Sequence, residues 1–270
     1  MNRLSSFFKK NLSADKVALI TYLICGDPDI RTTQKIMKTM VDSGVDVIEL
    51  GIPFTDPIAD GPIIQKGVER ALKKNISLNN IFSLVKEFRK TNTFTPIVLM
   101  GYMNPIEKMG YKNFSASAKK YGVDGVLIVD LPPEESAEIN LTLSKNNISQ
   151  IFLASPTTEE NRLQNIINSS SGYLYYVSLK GITGSSIKNF SLIKNNVEKI
   201  RKISKNKIPV VVGFGIKNQI VAKNIGKFSD GIIIGSSIVE LIEENYHQKD
   251  IMYKKIKSFL VNIKKALVNK

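Results

Sequence analysis

The chain has 270 residues, 43% of them hydrophobic and 23% charged, with a formal net charge of +14. That length holds an ordinary α/β domain with a full core, and the longest apolar runs, such as residues 208–216, are too short to span a bilayer. A single cysteine, Cys25, and a single histidine, His247, exclude a disulfide framework and thiolate or His-clustered metal sites, and leave little room for a Ser/His/Asp triad.

The first segment, MNRLSSFFKKNL, lacks the apolar core and small-residue cleavage site of a secretory signal. With Leu4, Phe7 and Phe8 on one side it reads as a short amphipathic helix, and a cytoplasmic location is expected. Beyond it, short apolar strands alternate with amphipathic helical stretches. Candidate strands are residues 17–25, 45–50, 96–101, 125–130, 149–154, 173–179, 208–214 and 231–234. Helical patterns between them include 31–41, 81–90, 137–145, 159–168 and 251–267. Eight β-then-α units in about 250 residues is the arithmetic of a closed (β/α)8 TIM barrel. The expected fold is one such barrel over residues 1–270, α/β in class, with a short N-terminal helix and extra helices in the βα loops. A doubly wound open sheet is the runner-up, but no GxGxxG fingerprint opens the first βα turn.

The segment VDVIELGIPFTDPIADGP, residues 45–62, is the strongest chemical signal. Its strand carries one acid, Glu49, where a doubly covered parallel strand normally runs apolar. An isolated acid at a strand end is commonly a cap or a surface residue. The loop that follows alters that reading, because Pro53, Pro57 and Pro62 restrict its backbone while it presents Asp56 and Asp60. Two carboxylates on a rigid strand end and a stiffened loop can face one cavity with different pKa values, as an acid/base pair requires.

The remaining polar and glycine signals also fall at strand ends: Gly26-Asp27, Asp130, residues 181–184, the GFG of Gly213, Phe214 and Gly215, and the GSS beginning Gly235-Ser236. In a barrel, the loops after the last two strands, with a following helix N-terminus, commonly cradle phosphate. A phosphorylated substrate is therefore expected. Nucleic acid is not: six of the 38 basic residues are arginine, and the chain shows no zinc-finger spacing, RNP-like motif or arginine cluster. The positive charge suits attraction of an anionic substrate.

LICGDPD (23–29), ELGIPFTDPIADGPIIQ (49–65), VDLPPEES (129–136), YYVSLKGITG (175–184), GFGI (213–216) and GSSIVELIEEN (235–245) run in one order along nearly the whole chain. Together they resemble the tryptophan synthase alpha subunit family. The resemblance implies a carbon–carbon lyase of L-tryptophan biosynthesis, cleaving indole-3-glycerol phosphate to indole and glyceraldehyde 3-phosphate without metal or organic cofactor. It implies Glu49 as the acid/base and Asp60 as the carboxylate that takes the indole N–H. Gly184, Gly215, Gly235 and Ser236 would hold the phosphate. Tyr22, Met100, Leu127, Gly213 and Phe214 would line the substrate pocket, with Tyr175 near the glycerol. Asp56 and the loop around Thr183 would carry closure. The implied partner is a beta subunit holding pyridoxal phosphate, in an alpha2-beta2 heterotetramer. The sequence departs from the family pattern at Tyr22, where Phe is common, and at Leu179-Lys180, where the loop usually contains Arg.

Two other readings stay open at this level. A sugar-phosphate isomerase or aldolase on the same barrel is one, although none of the eight candidate strands ends in a Schiff-base lysine. A non-enzymatic binding protein or activating subunit is the other.

Overall fold

The computed structural model describes residues 1–178, 190–213 and 215–268. Its strands are β1 (Ala18–Ile24), β2 (Val47–Gly51), β3 (Ile97–Gly101), β4 (Gly125–Ile128), β5 (Ser149–Ile151), β6 (Leu153–Ala154), β7 (Leu174–Val177), β8 (Val210–Gly213) and β9 (Gly231–Ile234). Every pairing is parallel, in the order β5-β4-β3-β2-β1-β9-β8-β7-β6. The two outer members of that order, β5 and β6, are one stretch of chain interrupted at Phe152, so the sheet closes on itself as an eight-stranded barrel. The expected strand 149–154 is thus divided between two neighbours: its first half pairs with β4 and its second with β7.

Among the described residues, twelve α-helices surround or cap the barrel: α1 (Arg3–Ser13), α2 (Ile30–Asp42), α3 (Pro62–Leu72), α4 (Leu78–Arg89), α5 (Met103–Met109), α6 (Tyr111–Tyr121), α7 (Ala137–Lys145), α8 (Glu160–Ser169), α9 (Phe190–Ser204), α10 (Gln219–Gly226), α11 (Ser236–Asn245) and α12 (Lys249–Val268). The sequence marks α1, α2, α4, α7, α8 and α12 through their apolar spacing. Pro62 of α3, which the sequence places at the end of a stiff loop, and Pro105 of α5 both stand in the first turn of their helices, where a missing N–H is harmless.

Alternation along the strands makes two cores. Side chains such as Leu19, Ile48, Leu99 and Val212 face outward to the helices. Ala18, Ile20, Val47, Val98, Leu127, Ile151, Tyr173, Val211 and Ile233 face inward and fill the barrel. Helix α1 closes the N-terminal end. Its Leu4 and Phe8, one helical turn apart, are buried against that inner layer. Asn2 caps α1 by accepting from Ser5 N–H at 2.9 Å, and its amide donates to Asp124 O at 2.8 Å and Asn147 O at 2.9 Å.

One device recurs on this face. Asp46, Asp124 and Asp230 each stand just before or at the start of a strand. Each accepts a backbone N–H from a neighbouring strand: Leu19 at 2.7 Å, Ile97 at 2.9 Å and Val210 at 2.7 Å. Each also carries a cation: Lys264 on Asp46, Arg3 and Arg89 on Asp124, Arg201 on Asp230. The acids flagged at the opposite ends of strands divide into two groups. Asp27 is fully buried in a two-pronged pair with Arg70 at 2.8 and 2.9 Å, tying the loop after β1 to α3. Asp130 accepts Met103 N–H at 2.8 Å and anchors the start of α5. Those two are structural fasteners. Glu49, with one oxygen unpartnered among the described residues, is not used in that way.

Candidate active site

Glu49 lies in β2 beside Tyr22 of β1, its register partner, and both point into the barrel. It is fully buried. Tyr173 Oη donates to Oε1, while Oε2 has no hydrogen-bond partner among the described residues. Burial pushes the carboxyl up to about 7, against the opposing pull of the Tyr173 hydrogen bond. A charged form with one oxygen unsolvated is costly inside a protein, so the proton is held far more tightly than in water. Near neutral pH such a group gives and takes a proton with almost equal ease.

Asp60 lies on the loop after β2, half-buried, and accepts a hydrogen bond from Tyr102 Oη at 3.1 Å. Its pKa is raised by burial and pulled back by that bond. The same Tyr102 oxygen accepts Ala59 N–H at 3.1 Å, and the Tyr102 ring packs on Phe54 with centroids 5.3 Å apart. One buried tyrosine therefore clasps the loop at three points. Phe54 is partly covered by this contact. Ile58, at 83% exposure, is the apolar side chain the loop presents, beside the exposed Asp56.

Two glycines make room for two tyrosines. A Cβ on Gly51 would overlap the Tyr22 hydroxyl, and one on Gly213 would overlap the Tyr175 ring. Tyr22 is thereby laid over the end of β2, where its pKa is raised by burial and then by the charges of Asp60 and Glu49. The Tyr175 hydroxyl is raised by burial and by Glu49. Met100, partly exposed, and Leu127, fully buried, belong to the same inner layer. Both carboxyls, both phenols and this apolar layer converge on the C-terminal end of the barrel.

On the adjoining rim, Gly235 and Ser236 stand half-buried at the start of α11, whose first N–H groups have no carbonyl one turn earlier to bond. A Cβ on Gly235 would sit 3.4 Å from the Tyr22 side chain. Gly215, with φ +71°, meets open space within 4 Å of its missing Cβ, and Ser237 Oγ bonds Ile216 O at 3.3 Å, joining the two loops. Thr183, Gly184 and Phe214 lie outside the described residues, as do all of residues 179–189. His247 is exposed, its ring tilted against that of Tyr246 with centroids 3.9 Å apart.

Sequence reasoning missed Tyr173 and Tyr102. Both sit where an apolar residue is expected, and their partners are 124 and 42 residues away. Among the described residues, no group of three or more His, Cys, Asp or Glu could hold a metal ion, and no helix is long and apolar enough to cross a membrane.

This geometry has close relatives. A family model described as tryptophan synthase alpha chain matches residues 8–268. The tryptophan synthase alpha chain of Nitrosomonas europaea is 51% identical over 245 residues, spanning 91% of this chain and 88% of that protein. The crystal structure of tryptophan synthase subunit alpha from Legionella pneumophila str. Paris superposes with a TM-score of 0.92 at 39% identity, covering all of both chains. A chain from the tryptophan synthase complex of Pyrococcus furiosus gives 0.82 at 36% identity, over 92% of this chain and 98% of that one. With the family model matched over residues 8–268 and relatives matched along nearly the whole chain, the chain belongs to the tryptophan synthase alpha chain family, the lyases that cleave indole-3-glycerol phosphate in tryptophan biosynthesis.

Proposed function

We propose that Glu49 and Asp60 carry the cleavage of indole-3-glycerol phosphate in this chain. The observation that carries this reading is the Glu49 carboxyl, buried, pushed up to about 7, held at one oxygen and free at the other. The reaction needs a proton delivered to indole C3 and one removed from the hydroxyl on the adjacent glycerol carbon. As the C–C bond breaks, its electron pair returns to the ring and the hydroxyl carbon becomes the aldehyde of glyceraldehyde 3-phosphate. One proton enters and one leaves, so a carboxyl poised near neutrality serves both transfers. Positive charge develops on the indole nitrogen when C3 is protonated, and Asp60 takes its N–H.

Tyr22, Met100, Leu127 and Phe214 line the indole pocket in this reading, and Tyr175, above Gly213, lies at the glycerol. Gly184, Gly215, Gly235 and Ser236 hold the phosphate, with the start of α11 as the anion-attracting end. Neither metal nor organic cofactor is needed by the step. We further propose one cytoplasmic unit, residues 1–270, paired with a beta subunit that holds pyridoxal phosphate, in an alpha2-beta2 assembly. Asp56 and the loop around Thr183 close over substrate. The relationship to a chain of a tryptophan synthase complex supports a partner.

The direct test is to incubate the purified chain with indole-3-glycerol phosphate and follow indole. Cleavage should rise on titration with the matching beta subunit, and less so for Asp56→Ala. No indole from wild type with saturating partner ends this reading; full activation of the Asp56 variant removes that residue from the communication route.

A further inference from the structure

On the N-terminal face, at the opposite end from the free Glu49 oxygen, α1, α8 and the turn after α9 enclose a cleft of about 790 Å³. That is the size of a small-molecule pocket. Its apolar lining includes the exposed Leu12 and half-buried Ile203, over a covered floor of Phe8, Ile167 and Ile208. Its rim carries Lys9, Lys205 and Lys207, all exposed, and no acidic residue is among its lining. Lys205 and Asn206 adopt left-handed backbone, φ 50° and 56°, in the tight turn that brings Lys205 and Lys207 to one rim. Three cations without a carboxylate beside them leave a positive field at the mouth of an apolar hollow.

We propose that this cleft is a second binding site, for a small anion with an aromatic body, whose ring lies among Leu12 and Ile203, over the floor to which Phe8 belongs, while its charge meets the three lysines. The site is wired to Glu49 by contact. Phe8 forms part of the cleft on one side and packs on Tyr173 on another, with ring centroids 5.5 Å apart. Gly172, the residue before Tyr173, also lines the cleft. Tyr173 in turn donates to Glu49. An occupant that tightens the seat of Phe8 therefore acts on the donor that tunes the acid/base carboxyl, and the two sites are linked thermodynamically.

The probe is 2-naphthoate, with neutral 2-naphthamide and inorganic phosphate as controls for charge and for the apolar body. Binding is measured by ligand-observed NMR on the full chain and on the K205E/K207E double variant, with excess indole present to fill the barrel pocket. Both substitutions are of exposed residues outside the acid/base machinery. The expected result is that 2-naphthoate binds wild type at least tenfold more tightly than the double variant, more weakly as salt is raised, and better than either control. Lyase activity without naphthoate should be unchanged by the double substitution. Equal binding to both proteins, or displacement by indole, overturns the site. The linkage has its own readout: saturating 2-naphthoate should shift the midpoint of the kcat/KM–pH profile of wild type and leave that of the double variant in place. An unmoved wild-type profile overturns the linkage, and because the double-variant binding arm uses no substrate, its result is independent of the lyase reading.

Discussion

At Glu49 the chemistry that serves turnover opposes stability. Its carboxyl is held at about 7 in the fold against an ordinary value of 4.5. The folded state therefore binds the extra proton between those two pH values, and stability falls as pH rises from 4.5 through 7. The full shift corresponds to about 3 kcal/mol. Glu49→Gln removes the titration. Its stability relative to wild type should climb by about that amount across this window in urea denaturation, while indole formation drops about 10²–10⁴-fold. A constant difference between the two proteins across the window would show that Glu49 is not desolvated. Tyr173→Phe keeps the buried ring and removes the donor that lowers the Glu49 pKa. The acid limb of the kcat/KM–pH profile, where the ionised base is required, should move upward. No movement would disconnect Tyr173 from the carboxyl. Glu49 itself was legible because a lone acid in an apolar strand is anomalous. Tyr173 was not, because a tyrosine in such a strand looks like ordinary core until its partner across the barrel is known.

Among the elements, the loop between β2 and α3 carries the sharpest dependence on one side chain. Its prolines announce stiffness in the sequence, yet the fastening comes from Tyr102, which meets Asp60, Ala59 N–H and the Phe54 ring. Tyr102→Phe should leave the Phe54 packing intact and release both hydrogen bonds. Loss of two net hydrogen bonds of about 1 kcal/mol each should lower stability by up to about 2 kcal/mol in urea denaturation, and the loosened loop should lower kcat/KM in the same indole assay. Asp60→Asn should lower turnover more than it weakens substrate binding, since the carboxylate acts on charge that develops in the transition state. A binding defect alone would make Asp60 a positioning group. Element boundaries show a similar limit on reading. Strand 231–234 was placed without error, because its apolar run is bracketed by Gly231 and Gly235. The break at Phe152 left no mark, since only strand pairing divides β5 from β6.

At the scale of the whole molecule, the two ends of the barrel are specialised differently. The C-terminal end leaves its central carboxyl oxygen unpartnered, while the N-terminal end satisfies its aspartates fully with strand N–H groups and cations. Asp124 is the most embedded of the three, with Arg89 only 10% exposed beside it. Burial lowers the Arg89 pKa to about 10. Asp124→Ala would leave that guanidinium and the Ile97 N–H without their acceptor, a loss of about 3–5 kcal/mol. Urea denaturation should show it, while activity per folded molecule stays close to wild type. A loss below about 1 kcal/mol would mean that water replaces the carboxylate. The alternation of apolar strands and helices made the closed barrel legible in the sequence. This ring of aspartates was not, because each reads as a turn residue until the strands are set side by side.

The seating of α1 also orders events in time. Its cap reaches Asp124 and Asn147, 122 and 145 residues along the chain, and β1 must find β9, with Ala18 opposite Gly231. A helix made early by the ribosome thus has no seat until the fourth and fifth strands exist, and the barrel has no closure until its last strand emerges. Contacts so far apart in sequence slow the search for the native state, so the first helix of the chain should be among the last to acquire amide-exchange protection.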